Sequence, residues 1–498
     1  MISRRRLLKN GAALAAAAPA FLRTADARQR RTTPEDARTR DRLQRAGRDA
    51  KRRILIKGGT VITMDPAAGN FARGDVLVEG ARIVAIQPAI ANPGQAIVVD
   101  ASDTTVIPGF VDPHIHAWQG QLAGIIPNGN IVADDPRNYY TVMYRTLGPH
   151  YRPQDAYIGN LLTALTCLDA GITCFCDNSH NTRSAAHADA AVRALFDSGI
   201  RAVHAAGGLR FPDQPWDRQW PEDLYRIRKQ YFSSNDQLVT LRLFSGGDIN
   251  IRSLDIARDL DLWTSFDTAR RSPLLPGLYA KGLLVGRETF NHGTAIPEEN
   301  WRVIREHGAK IDLSPRGDSQ FTYGGVERGM NALQDALDHG VRPGISSDVP
   351  AAYGIDMFAE MQILYFTQRS AAQFAKFSGH PKPPAAVTAR DVLEFATLRG
   401  AECCALDHTC GTLTPGKDAD IVLLRTDGFR LNAANNAIGA VVQNGRVGNV
   451  DTVFVAGQVR KWRGELVGHD LRKIRGMADE SRRHLFTASG WKVDLLAD

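Results

Sequence analysis

The residues best suited to chemistry are two histidines that close an apolar run, "VIPGFVDPHIHAWQG" (residues 106–120). His114 and His116 are two positions apart, and side chains at i and i+2 of a strand share one face. Two imidazoles side by side at a buried strand end suit a divalent metal such as zinc or iron. His292, in "GRETFNHG", and Asp348, in "GISSD", also follow strand-like runs. A divalent metal lowers the pKa of its water from about 15.7 toward about 7.

Something must bring these four residues together. The middle of the chain alternates strand-like and helix-like segments. "GITCFCD" precedes the helix-like "SAAHADAAVRALFDSG"; "IRAVHAAGG", "LVTLRLFSGG" and "DLWTSF" follow; "PEENWRVIREHG" and "MNALQDALDHG" each end at a glycine stop. Repeated strand–helix units predict an α/β fold, a (β/α)8 TIM-type barrel, whose chemistry sits at the C-terminal ends of its strands. The two ends of the chain instead carry short β-branched runs with Gly/Asn turns. They predict a small composite β-sandwich domain built from 54–107 and 412–465, around a barrel at 108–411. A helical tail at 466–498 completes the folded body.

"PGFVDPHIH", "GITCFCD", "SGIRAV", "NHGTAIPEENWRVIREHGAKI", "ALDHGVRPGISSDVP" and "GTLTPGKDADIVLL" together resemble the amidohydrolase superfamily over about residues 54–465. The resemblance is nearest to its single-metal branch, with triazine hydrolases, guanine deaminase and cytosine deaminase. It implies one divalent metal ion, Zn or Fe, with His114, His116 and Asp348 as ligands and with Asp348 and His292 as catalytic residues. No Lys occurs in "LVTLRLFSGG", so a two-metal site bridged by a carbamylated lysine is not expected. Two departures stand out. The family's fifth-strand histidine, often in H-x-x-E, has no counterpart, because no His lies between His204 and His292. Asp267 falls near that position, as a substitute ligand or as a cap of the following turn. The matching Glu, which in deaminases carries a proton to the leaving nitrogen, is also absent, and Leu313 stands near the position of a further family histidine. Trp118, Gln119, His180, His204 and Arg316 are the expected substrate-binding residues, with Asp318 as an alternative partner for Arg316.

The chain has 498 residues, 43% hydrophobic and 23% charged, with a formal net charge of +7. The charge is uneven. Residues 1–53 hold 16 Lys/Arg against 5 Asp/Glu, and the remainder holds 45 against 49. The basic balance therefore belongs to the leader, and no nucleic-acid partner is expected for the body. Ser3, Arg4, Arg5, Leu7, Leu8 and Lys9 resemble a twin-arginine export signal, followed by an Ala-rich stretch and an A-x-A site at Ala25–Ala27. Residues 1–27 read as this signal, for the twin-arginine export machinery and a periplasmic or extracellular destination. Cleavage would leave no stable membrane span, since no other segment reaches about 20 apolar residues. Residues 28–53 read as a charged linker or an exposed helix with little core to dock on. The six cysteines lack C-x-x-C spacing, so mostly buried thiols are expected.

The expected function is an exported metal-dependent hydrolase of non-peptide C–N bonds in a cyclic amide, amidine or related small molecule. The alternatives are a heterocycle aminohydrolase, and, in another class, a pseudoenzyme or small-molecule-binding protein with a degraded metal site. A homo-oligomer is compatible with the resemblance.

Overall fold

The computed structural model describes residues 33–498, apart from 133, 209–216, 247–249, 270–273, 322–330, 429–430, 432–434, 494–495 and 497–498. The expected signal at residues 1–27 lies outside the described residues.

Eight parallel strands run in chain order around a barrel: Phe110–Ile115, Ile172–Ser179, Arg201–Gly207, Val239–Phe244, Thr264–Ala269, Glu288–Thr294, Lys310–Leu313 and Gly344–Ile345. The last returns to the first through a parallel bridge between Ile115 and Asp348. Helices such as Ala185–Ser198 and Glu298–His307 fill the crossovers, and each ends at a left-handed glycine, Gly199 and Gly308. Strand alternation separates two packed layers. In the third strand, Val203 and Ala205 point inward to a small core with Val111, Cys174, Cys176, Phe244, Cys404 and Cys410. Ala202 and Ala206 point outward to the large core under the helices. All six cysteines are buried free thiols.

A second, mixed sheet of nine strands is built from both ends of the folded chain. Its join is the antiparallel pairing of Thr104–Pro108 with Ile421–Arg425. Ile54, Ile56, Val76, Val78, Ile421 and Leu423 alternate into its core.

Of the two forms expected for the N-terminal segment, a charged linker or an exposed helix with little core to dock on, Pro34–Ala46 takes the helix, and it docks on this sheet. Thr33 and Asp36 make a reciprocal capping box. Leu43 is buried in the sheet's core, Arg463 Nε donates to Asp36 Oδ1 at 2.9 Å, and Trp462 Nε1 donates to the Asp36 carbonyl at 3.1 Å. One buried leucine and a polar dock suffice where the apolar content alone predicts none.

Between the first two barrel strands, residues 116–152 build a third core, with Trp118, Tyr139, Tyr144 and Tyr151 packed beside Val349 and Ala351. The C-terminal helix Leu471–Ser489 closes over it, placing Leu485 in the same core and Ser481 against Gln121. Among the described residues, no helix is long and apolar enough to cross a membrane.

Candidate active site and metal centre

His114 and His116 converge with Asp348 at the C-terminal mouth of the barrel. The two Nε2 atoms are 3.4 Å apart, and each lies 3.3 Å from Asp348 Oδ1. Ligands about 2.0–2.1 Å from a tetrahedral zinc are about 3.3–3.4 Å from one another, so this triangle matches one face of such a shell. All three residues are buried, and neither Asp348 oxygen accepts a hydrogen bond of good geometry. A buried carboxylate left so is costly, and a cation among these atoms removes that cost. The residues present fit the metal that the sequence implies.

The backbone fixes this arrangement. Asp348 N donates to the His114 carbonyl at 2.9 Å, and His116 N donates to the Asp348 carbonyl at 3.0 Å. The bonds that close the barrel therefore also set the ligands. Asp348 and His292 both hold left-handed φ values, 58° and 67°, a strain that persists only where the surroundings over-determine it. His116 Nδ1 donates to the Asn178 carbonyl at 3.0 Å, which leaves Nε2 as the lone-pair nitrogen.

Two further groups face the triangle. Asp267, on the fifth strand, places Oδ1 3.9 Å from His114 Nε2, and His114, Asp267 and His292 bring one ligand atom each within 4.8 Å of one another. The aspartate thus occupies the mouth where the expected fifth-strand histidine is missing. His292 Nδ1 donates to Asp318 Oδ1 at 2.9 Å, and its Nε2 lies 4.0 Å from Asp348 Oδ2.

The electrostatics follow from burial and charge. Burial drives His114 down to about 3, with His116 and His292 adding to it against the pull of Asp348. Burial opposes a charge on His116 as well, but contact with Asp348 holds it above the ordinary imidazole value. His292 pays the same burial cost, yet Asp318, Asp348 and Asp267 raise it to about 10. Against its own burial, Asp348 is held well below the usual carboxylate range by the three imidazoles.

The remaining expected residues divide. His180 stands in the site wall, its ring 4.3 Å from that of His116 and its Nε2 2.6 Å from the Tyr144 hydroxyl. Trp118 packs edge-on against Tyr144, Tyr151 and His180. Gln119 is a brace: its amide donates to the Tyr139 hydroxyl at 2.6 Å and its carbonyl accepts from Ala351 N at 3.2 Å.

His204 does not line the pocket. It shares the outward face of its strand with Ala202 and Ala206, stacks on Phe232 and approaches Asp177 Oδ2 at 3.1 Å through Nδ1. Arg316 is not left free for substrate. Its Nε donates to Glu360 Oε1 at 2.6 Å, its Nη2 donates to the Gly354 carbonyl, and its guanidinium covers the Tyr353 ring at 4.3 Å. Nor do Arg316 and Asp318 pair, since Asp318 serves His292.

Three residues escaped the sequence reading. Asp312 accepts from Asn291 and Ser346 one layer below His114, and burial raises it to about 7. Leu313, its neighbour, faces the outer core. Tyr144 partners His180. Tyr353 carries a buried hydroxyl without a hydrogen-bond partner. A Cβ on Gly317 would lie 2.7 Å from that hydroxyl and 3.0 Å from Asp348 Oδ2. Only glycine leaves this gap open, and both oxygens border it.

The amidohydrolase family model matches residues 105–240 and 266–460. The chain belongs to the amidohydrolase family. As a member, it is a metal-dependent hydrolase acting on carbon–nitrogen bonds other than peptide bonds. It is 25% identical to a 5'-deoxyadenosine deaminase of Methanothermobacter thermautotrophicus, covering 79% of this chain and 91% of that one. It is 23% identical to a 5-methylthioadenosine/S-adenosylhomocysteine deaminase of Pyrococcus horikoshii, covering 76% and 88%. Among solved structures, an adenosine deaminase from Xanthomonas campestris with bound zinc superposes with a TM-score of 0.73 at 21% identity, covering 87% of this chain and 98% of that one. Atrazine chlorohydrolase from Arthrobacter aurescens, complexed with zinc and atraton, gives 0.72 at 22% identity, covering 87% and 100%. These likenesses support the barrel with its composite domain.

Proposed function

We propose that this amidohydrolase is a single-zinc hydrolytic deaminase of an amino-substituted heterocycle. The observation that carries the reading is the buried triangle of His114, His116 and Asp348, with His292 aimed across it. The deaminases among its relatives support adenine nucleosides as the first substrate class. Zinc, when bound by His114, His116 and Asp348, would supply Lewis acidity and a water of lowered pKa.

The chain's own residues do the rest. Asp348 accepts the proton of the attacking water at its free carboxylate oxygen. His292, kept protonated through Asp318, donates a hydrogen bond from Nε2 to the heterocycle nitrogen on which negative charge develops. The Tyr353 hydroxyl, bordering the same gap as Asp348, holds the departing amine while the proton on Asp348 is returned to it. Tyr353 thereby supplies a polar contact on the leaving-group side, where no H-x-x-E glutamate stands. Trp118, Tyr144 and His180 wall the site against water.

The absence of that glutamate favours one second reading, hydrolysis of a ring C–N bond in a cyclic amide, for which no ammonia is released. A test is direct: zinc-loaded protein is incubated with adenosine, 5'-deoxyadenosine, 5'-methylthioadenosine, aminopyrimidines and cyclic ureides, and ammonia is measured. Ammonia from an aminoheterocycle supports deamination. Ring opening of a ureide without ammonia selects the second reading. We also propose, on the Arg4–Arg5 motif and the Ala25–Ala27 site, export by the twin-arginine route; retention of the mature protein in the cytoplasm of the producing cell contradicts it.

A further inference from the structure

A cleft of about 630 Å³ lies between the composite sheet and the barrel. It opens at the end away from the metal triangle, since Arg201 begins the third barrel strand and Leu238 immediately precedes the fourth. Its size falls within the range of small-ligand cavities. The charged lining is Arg48, Arg82, Arg201, Arg460, Asp236 and Asp418, with His408 at an exposed edge.

The charges do not balance. Arg201 takes Asp420 at 2.8 Å and Asp418 at 2.6 Å, and Arg82 takes the other Asp418 oxygen at 3.1 Å. Asp236 is exposed. Among the described residues, Arg48 and Arg460 make no ion pair with a carboxylate. Arg48 is exposed, whereas Arg460 is half-buried and its Nε is enclosed without a hydrogen-bond partner. Its guanidinium is wedged against Gly199, where a Cβ would lie 2.5 Å from Cζ. Burial, and then the charge of Arg48, pulls Arg460 down to about 10 against the opposing charge of Asp420. Two like-charged forks thus border one cavity, beside an apolar wall of Leu238, Leu406, Val455 and Ala456.

We propose that this cleft binds a phosphate group, held by Arg460 and Arg48, with the apolar wall receiving the organic body of a phosphate monoester. Guanidinium forks match phosphate oxygens in pairs, and a dianion cancels the repulsion between the two arginines. The site is separate from the hydrolytic centre and does not depend on its substrate.

Calorimetric titration of the zinc-loaded full chain with inorganic phosphate and with phenyl phosphate tests this. Binding is expected in the wild type, with at least a tenfold loss of affinity in Arg460→Gln. Arg48→Gln alters only an exposed side chain and is expected to show the same loss. Tighter binding of phenyl phosphate assigns the site to monoesters, and equal affinity assigns it to free phosphate; both keep the site. Absence of binding by either probe overturns the proposal. So does binding that survives both arginine substitutions, or binding that vanishes in Asp348→Asn, which would place the anion on the metal.

Discussion

At the scale of single residues, Asp348 is asked to do two things, to ligate and to move a proton. Asp348→Asn is expected to lower kcat by about 10²–10⁴-fold, and metal content measured beside it should fall as well. Asp267 stands on the fifth strand, near the position for which the resemblance implies a histidine. If its carboxylate faces the metal as it faces His114, Asp267→Ala should weaken zinc affinity by at least about tenfold, read by competition with a chelating dye. Unchanged affinity would make Asp267 a wall residue only.

His292 is raised to about 10 because Asp318, Asp348 and Asp267 outweigh its burial. A group so raised is protonated at neutral pH and loses its proton as pH climbs through that value. Asp318→Asn removes one of the charges that raise it, so the alkaline limb of kcat/KM should move to lower pH. A limb that stays in place would show that His292 does not act in its protonated form. Tyr353→Phe keeps the ring under Arg316 and deletes the hydroxyl. It should cost about tenfold in kcat, about 1.4 kcal/mol, with zinc content unchanged.

His114, His116, His292 and Asp348 were legible from type and spacing, because metal ligation confines the choice of residues. Tyr353 and Asp312 were not. A tyrosine in a loop and an aspartate inside "KIDL" carry no spacing signal, and only the closed barrel brings Tyr353 to the mouth and Asp312 beneath His114. His204 misled for the converse reason: its distance along the strand was right, but strand parity turns it to the outer face.

At the scale of elements, the strand–helix alternation was readable because most strands are short apolar runs and helices such as Ala185–Ser198 and Glu298–His307 stop at a glycine. The docking of the helix Pro34–Ala46 was not, since its attachment is mostly polar. Burial works against an ionised Asp36, yet its hydrogen bonds to Thr33 and its ion pair with Arg463 hold it below the ordinary carboxylate value. A carboxyl lowered in the folded state contributes stability that is present above its unfolded value of 3.8 and lost as pH falls through the lower folded value. Asp36→Asn should therefore destabilise the protein by about 1–2 kcal/mol at pH 7, and the gap to the wild type should close in acid below the folded value. Denaturant melts at pH 7 and in acid check both; a gap independent of pH would remove the charge from the account.

At the scale of the whole molecule, one set of backbone bonds does two jobs. The links between Asp348 and residues 114 and 116 shut the barrel and position the ligands, so metal binding should stabilise the fold as well as activate it. A chelator-stripped sample should melt at a lower temperature and recover on adding zinc. The barrel and its composite sheet were legible because both halves of the sheet carry β-branched runs and the middle alternates regularly. The aromatic cover over the mouth was not, since it is assembled from residues 116–152, the loop after Asp348 and the C-terminal helix, three segments distant in sequence.

The most direct test of the account is a crystal structure of the zinc-loaded protein. It should show one zinc about 2.0–2.2 Å from His114 Nε2, His116 Nε2 and an Asp348 oxygen. A zinc bound elsewhere, or held at the barrel mouth without Asp348, would contradict it.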